Sequence, residues 1–120
     1  MNQSERKAFG LIKSLGFRVV PQVQIGGYTV DFLLPNEKAI IEVDGEPYHT
    51  DSAARKRDTR RDGSLQKMGY LTIHIWTETL FKTPKVATKH ILVRLYRERG
   101  IKSSVRGAAR LYRKLGERRT

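Results

Sequence analysis

The sequence contains no cysteine, which excludes disulfide bridges and thiolate zinc sites. It also has no apolar run close to the roughly 20 residues that a bilayer-spanning helix needs. Residues 1–6 lead into no apolar signal region. We therefore expect a cytoplasmic protein that does not contact membranes. A chain of 120 residues is long enough for one ordinary hydrophobic core and too short for two.

Acidic residues are scarce and unevenly placed. There are 12 acids against 24 Lys and Arg, a net charge of +12. Residues 1–60 hold 9 basic and 8 acidic residues (+1), whereas residues 61–120 hold 15 and 4 (+11). Such a one-sided excess indicates a polyanionic partner, nucleic acid before acidic membrane. Charge alone leaves two alternatives open, a basic tail kept for solubility and a small ribosome-associated protein.

Hydrophobic periodicity and Gly or Pro stop signals predict eight elements. Helices are expected at 4–15, 52–68, 83–99 and 103–115, and strands at 17–24, 28–34, 39–44 and 70–76. The order predicts an α/β fold with a mixed sheet flanked by helices. Helix 52–68 would let the fourth strand run parallel to an earlier one, and Pro21 indicates an edge strand. We expect a single domain, with residues 1–82 as its core and 83–120 as a basic helical extension packed on or next to it.

Three carboxylates interrupt apolar strands. Asp31 lies in the second predicted strand, and Glu42 and Asp44 end the third. Residues two apart on a strand share a face, so Glu42 and Asp44 project together. If the two strands pair through the turn at 35–38, Asp31 comes beside them. Each acid alone has an ordinary explanation as a turn or solvated residue, but the three together predict one acidic site.

An acidic cluster of this kind is costly unless a cation compensates it. Oxygen ligands suit Mg²⁺ or Mn²⁺, which also bind phosphates and activate water. His49 follows Asp44 by five residues and could exchange a proton with water or a leaving oxygen. A lone histidine is more often a surface residue. The set nevertheless predicts metal-assisted phosphodiester hydrolysis.

The helix at 52–68 carries an acid and a base within its expected apolar stripe. Asp58 and Arg61 are three residues apart and can pair on the helix. We interpret this pair as support for the acidic site. The alternative is that residues 55–62 form a solvated charged face.

The combined pattern resembles the very-short-patch-repair-like branch of the PD-(D/E)xK nuclease superfamily, and more closely an uncharacterised domain family within that branch. The resemblance covers roughly residues 3–80 and rests on Glu5, Asp31, Ile41-Glu42-Val43-Asp44-Gly45, His49, Asp58, Arg61, Leu65 and Gly69-Tyr70. It implies a restriction-endonuclease-like fold and a Mg²⁺- or Mn²⁺-dependent endonuclease. Homing endonucleases with a similar site belong to the same group.

The resemblance also assigns roles. Asp31 resembles the central metal-binding aspartate, and the carbonyl of Val43 resembles a main-chain metal ligand. Glu42 matches the second acidic position, and His49 resembles an active-site histidine. Asp44 stands where the branch has a histidine or an acid and the wider superfamily has lysine.

Glu5 resembles a glutamate that reaches the site, although Asn2-x-x-Glu5 is also a helix-capping pattern. Two features of the resembled enzymes are absent. There is no lysine two residues after Glu42, so the sequence does not identify the general base. His49 is the preferred candidate. There are no cysteines for the structural zinc site of the mismatch-repair enzymes, which argues against mismatch-specific repair.

The basic residues predict the DNA-binding surface. Residues 82–120 hold 13 Lys or Arg and two acids, a net of +11. Phosphate contacts supply affinity without sequence information. The candidates are Arg55, Lys56, Arg57, Arg106, Arg110, Arg113 and Lys114. The last helix could instead dock on the core or on a second copy, so a homodimer or a larger assembly is also possible.

Three functions compete. The first is a metal-dependent DNA endonuclease that nicks or cuts both strands. The second is a non-catalytic DNA- or RNA-binding protein on the same fold, and the acid set argues against it because a pure binder gains nothing from acids near phosphates. The third is a ribosome- or RNA-associated protein.

Overall fold

Four strands form one mixed sheet with helices on both faces, in a computed structural model that describes residues 1–45, 52–100, 110, 113 and 114. The elements are α1 (Gln3–Ser14), β1 (Val20–Ile25), β2 (Tyr28–Leu34), β3 (Ala39–Asp44), α2 (Ser52–Lys67), β4 (Leu71–Trp76), α3 (Thr77–Lys82) and α4 (Pro84–Arg99). Seven of them confirm predicted elements, with ends displaced by at most three residues. The short helix α3 was not predicted. Most of the helix predicted at 103–115 lies outside the described residues.

The strands lie in chain order, β1-β2-β3-β4. The β1–β2 and β2–β3 pairs are antiparallel, and β3 and β4 are parallel from Ala39↔Leu71 to Asp44↔Trp76. The parallel pair confirms the crossover predicted for α2, and Pro21 does lie in an edge strand. Gly26 and Gly27, with φ of 54° and 85°, make the tight turn between β1 and β2.

Two hydrophobic clusters hold helices against opposite faces of the sheet. The larger cluster joins α1, α3 and α4 to the sheet through residues such as Ile12, Leu80 and Ile91. The smaller one lies under α2 and centres on Leu65 and Ile40, both fully buried. Helix α4, the first part of the predicted extension, therefore packs into the main core. No helix within the described ranges is long and apolar enough to cross a membrane.

Candidate active site

The candidate site lies where β2 and β3 separate. Their backbone ladder runs from Leu34↔Ala39 to Phe32↔Ile41 and ends there. Beyond it, side chains accept the main-chain hydrogen bonds: Glu42 Oε2 accepts from the Asp31 N–H at 3.2 Å, and Asp31 Oδ2 accepts from the Val43 N–H at 2.8 Å. Because part-buried backbone donors need partners, the main chain itself holds Asp31 and Glu42 side by side. This matches the predicted proximity of the two acids.

Glu42 is the buried member of this acid pair, with 5% of the residue exposed. Burial, followed by the nearby charge of Asp31, raises the pKa of Glu42 to about 7, and Arg61 opposes the rise. The guanidinium of Arg61 forms an ion pair with Glu42 Oε1 and also donates to the carbonyl of Thr29 at 2.9 Å. Of the two acids, Glu42 is the one that pairs with the guanidinium.

A second cation lies one strand further along the sheet. His74 of β4 is the register partner of Glu42, so the two side chains lie on the same face. Its Nδ1 lies 2.9 Å from Asp44 Oδ2, and its Nε2 lies 2.7 Å from Asp62 Oδ2. The hydrogen bond to Asp44, more than that to Asp62, raises the pKa of His74 to about 9 against the opposing effect of burial. His74 is therefore an imidazolium at neutral pH.

Two consecutive residues of helix α2 pair with charged side chains on β3 and β4, and each has the opposite charge to its partner. Arg61 contacts Glu42 and Asp62 contacts His74, while buried Leu65 one turn later anchors the helix on the sheet. The predicted pair of Asp58 and Arg61 is not formed within the described part of the chain. Asp58 is exposed, and Arg61 instead reaches Glu42, because a buried carboxylate gains more from a cation than a hydrated one does.

Glu5 has two partners of its own. Its Oε1 accepts from the Asn2 N–H at 3.1 Å in a capping box, and its Oε2 accepts from Gln22 Nε2 at 2.5 Å. Gln22 has a left-handed backbone (φ 54°) at the position of β1 that faces Asp31, where the β1–β2 pairs skip one step. Glu5 thus caps helix α1 and links that helix to β1, the strand that pairs with the strand of Asp31.

The remaining predicted residues divide by position. Asp44 lies two residues beyond Glu42 on the same face of β3, and Val43 is bound through its N–H to Asp31. His49 and Arg106 lie outside the described residues. The basic candidates that the structure does describe are exposed: Arg55, Lys56 and Arg57 on α2, and the helical residues Arg110, Arg113 and Lys114.

His74 and Asp62 were not among the predicted site residues. A signal for His74 existed in β4, where it alternates with buried Ile73 and Ile75 and so must point to the other face. That face also carries Glu42. Asp62 gave no comparable signal, because it lies in a charged run whose buried side cannot be identified from spacing.

The donor chemistry of the site fits a hard divalent cation. The site has four carboxylates. Glu42 pairs with Arg61, Asp44 and Asp62 pair with His74, and Asp31 accepts from the main chain. Carboxylate oxygens of this kind are the ligands that Mg²⁺ and Mn²⁺ prefer. Within the described ranges, no three Asp, Glu or His side chains are already arranged as a metal site.

Comparison with known proteins identifies the fold and the family. The catalytic domain of the homing endonuclease I-Bth0305I is similar in structure, with a TM-score of 0.62 and 22% sequence identity over 81% of this chain and 96% of that chain. This likeness confirms the predicted restriction-endonuclease-like fold. No curated protein sequence matches the chain. The very-short-patch-repair-like branch stays a prediction. Residues 5–95 match the family model REase_MTES_1575, and the chain therefore belongs to this family of restriction-endonuclease-like nucleases.

Proposed function

We propose that this protein is a Mg²⁺- or Mn²⁺-dependent endonuclease that hydrolyses phosphodiester bonds in DNA. The observation that carries the proposal is the contact between Asp31 and Glu42 at the point where β2 and β3 separate, in a chain of a nuclease family. Two adjacent carboxylates, of which Glu42 alone pairs with the guanidinium of Arg61 among the described residues, are electrostatically incomplete without a further cation. The net charge of +12 makes a polyanionic substrate favourable.

Asp31, Asp44 and the carbonyl of Val43 are the groups that would hold the metal. When bound, such an ion polarises a phosphodiester and lowers the pKa of an attacking water. The hydrogen bond from the Val43 N–H fixes one oxygen of Asp31, which sets the direction of the other. Glu42 holds the Asp31 main chain and is itself held by Arg61, so it acts from behind the site.

The proton-transfer group in this proposal is His49. His74 is unsuited to that role, because both of its ring nitrogens are hydrogen-bonded to carboxylates and its pKa is raised to about 9. A general base at neutral pH needs a free lone pair and a pKa closer to 7. The assignment of His49 rests on the sequence alone.

The DNA would be held by exposed basic residues. Arg55, Lys56 and Arg57 project from the first half of α2, on the same face of the sheet as the acids. The predicted basic extension adds Arg110, Arg113 and Lys114. Contacts from these residues to phosphates would give affinity that falls with salt. A monomer would nick one strand, and a homodimer or larger assembly would allow both strands to be cut.

The second candidate is a non-catalytic DNA- or RNA-binding protein on the same fold. The ion pair between Glu42 and Arg61 favours it, since it occupies an acid that was predicted to bind metal. Incubation of the purified chain with supercoiled plasmid in Mg²⁺, Mn²⁺ or EDTA separates the two. Metal-dependent nicking or linearisation supports the endonuclease. Tight, salt-sensitive binding without cleavage under any of these conditions supports the binding protein.

A further inference from the structure

His74 is held at both ends by carboxylates, and this geometry fixes what it can do. A neutral imidazole carries one N–H and can donate to only one carboxylate, whereas an imidazolium carries two. With Asp44 at 2.9 Å from Nδ1 and Asp62 at 2.7 Å from Nε2, both nitrogens must donate. His74 is thus a fixed cation, with no ring nitrogen left for substrate or water.

Asp62 directs its carboxylate at this cation. Its Oδ2 accepts from His74, while Oδ1 is buried and has no hydrogen-bond partner among the residues the structure describes. Buried carboxylate oxygens are normally satisfied, so an orphaned one needs an explanation other than simple packing. Asp62 itself is placed firmly, because Arg61 beside it is paired with Glu42 and Leu65 is buried beneath the helix.

Asp44 is the group at the other end of this chain of hydrogen bonds. It is the last residue of β3 and precedes Gly45, so its own strand gives its carboxylate little support. Within the described residues, His74 is its hydrogen-bond partner, through Oδ2. This bond fixes the orientation of the Asp44 carboxylate and so of its other oxygen, just as the bond from the Val43 N–H does for Asp31.

We propose that Asp62 is a positioning residue that acts through His74 to hold the Asp44 carboxylate ready for the metal ion. The inference rests on the proposed function, because it assigns Asp44 to that site. It adds two residues, Asp62 on α2 and His74 on β4, which act behind the metal ligands rather than as ligands. Outer groups of this kind typically change metal affinity or activity by roughly 10- to 100-fold.

A calorimetric titration of the full chain with Mn²⁺, in the absence of DNA, tests the inference by measuring Mn²⁺ affinity. Asp62→Asn should weaken Mn²⁺ binding by roughly 10- to 100-fold, and His74→Gln should do the same. The double variant should be no weaker than His74→Gln, because the effect of Asp62 passes through the imidazole. Glu78→Gln, which removes a carboxylate from an exposed pair on α3, is the control and should bind as the wild type does.

Unchanged Mn²⁺ affinity in Asp62→Asn would overturn the inference. It would also be overturned if Asp62→Asn lowered Mn²⁺ affinity as much in the His74→Gln background as it does in the wild type. Where His74→Gln does not fold, His74→Asn takes its place in the cycle. NMR of ¹⁵N-histidine protein in EDTA at pH 7.5 gives a signature that packing alone does not produce: both ring nitrogens of His74 should be protonated. A bare nitrogen at His74 would contradict the bridge.

Kinetics separate this inference from the proposed function. With plasmid substrate, Asp62→Asn should lower kcat and leave KM unchanged, because the proposed effect of Asp62 passes through His74 to the metal ligand. If the wild type cleaves plasmid and Asp62→Asn cleaves it at the same rate, the positioning role is overturned and the proposed nuclease function stands. Mn²⁺ binding that depends on Asp62, in a protein that cleaves nothing, would keep the positioning role and overturn the nuclease.

Discussion

Arg61 of α2 forms an ion pair with Glu42 of β3 on the face of the sheet that carries the acids. The carboxylate is nearly fully buried, with 7% of its side chain exposed, and the guanidinium is 24% exposed. The pair joins the crossover helix to the central strand. It also offsets part of the cost of placing Glu42 beside Asp31.

Removal of this guanidinium should destabilise the fold in a pH-dependent way. Arg61→Ala leaves a buried carboxylate without a cation, so we expect a loss of about 3 kcal/mol of unfolding free energy at pH 8. At pH 5 Glu42 is mostly protonated, and the loss should be smaller. Urea unfolding in EDTA at both pH values measures the difference.

Arg60→Ala is the matched control, because Arg60 is exposed on the same helix and bonds only the helix backbone among the described residues. It should change stability by less than about 0.5 kcal/mol at either pH. An Arg61→Ala loss as small as that of Arg60→Ala would show that the pair contributes nothing. Adding Glu42→Gln to Arg61→Ala should recover part of the loss.

Glu42 should make the metal-free protein less stable as pH rises. Its pKa is raised from 4.5 to about 7, by burial first and by Asp31 second. A raised folded-state pKa gives a contribution that is complete below pH 4.5 and is lost as pH rises through 7. The unfolding free energy of the wild type relative to Glu42→Gln should therefore fall by about 3 kcal/mol between pH 4.5 and 8. A constant difference across that range would contradict the burial of Glu42 beside Asp31.

His74 should stabilise the fold in a different pH window. Its pKa is raised from 6.5 to about 9, so its contribution is complete below pH 6.5 and is lost as pH rises through 9. His74→Gln in EDTA should cost about 1 kcal/mol more at pH 6 than at pH 10, a value discounted because the side chain is 34% exposed. His90, which bonds the His74 main chain, has a lowered pKa through burial and is retained in both proteins. An equal cost at both pH values would contradict a charged His74.

The three basic residues at the start of α2 should contribute to the salt dependence of DNA binding. Replacing Arg55, Lys56 and Arg57 together by Ala should reduce the slope of log Kd against log salt concentration by about two to three, if each contacts one phosphate. Fluorescence anisotropy with a labelled duplex in EDTA measures binding without cleavage. A triple variant of Arg6, Lys7 and Lys13 on α1, across the sheet, is the matched control. Equal slope changes in the two variants would show that α2 is not the contact.

The proximity of Asp31 and Glu42 could be predicted from the sequence. The turn at 35–38 makes β2 and β3 neighbours, and strand alternation then places Asp31 beside Glu42. The partner of Arg61 could not be predicted, because helical spacing gives the faces of α2 and not its angle or height over the sheet. Asp58 is the acid at helical pairing distance, three residues before Arg61, and Glu42, 19 residues away, is the partner in space.

The role of His74 was hidden for a related reason. It lies 30 residues after Asp44, and the two meet through the parallel register of β3 and β4, which the crossover helix determines. Helix α3 was missed because six residues are too short to show a helical period. The predicted role of Val43 as a metal ligand came from family resemblance alone. No residue pattern could indicate it, since binding through a main-chain carbonyl does not depend on the side chain.

Cleavage of supercoiled plasmid by the wild type and by Asp31→Asn, in Mg²⁺, Mn²⁺ and EDTA, tests the central claim most directly. Asn keeps the shape and the hydrogen-bond acceptor for the Val43 N–H but removes the charge. The wild type and the Glu78→Gln control should nick or linearise the plasmid in metal and not in EDTA, while Asp31→Asn should bind DNA and leave it intact. Cleavage by Asp31→Asn at the wild-type rate, or wild-type cleavage that continues in EDTA, would contradict a metal-dependent site at Asp31.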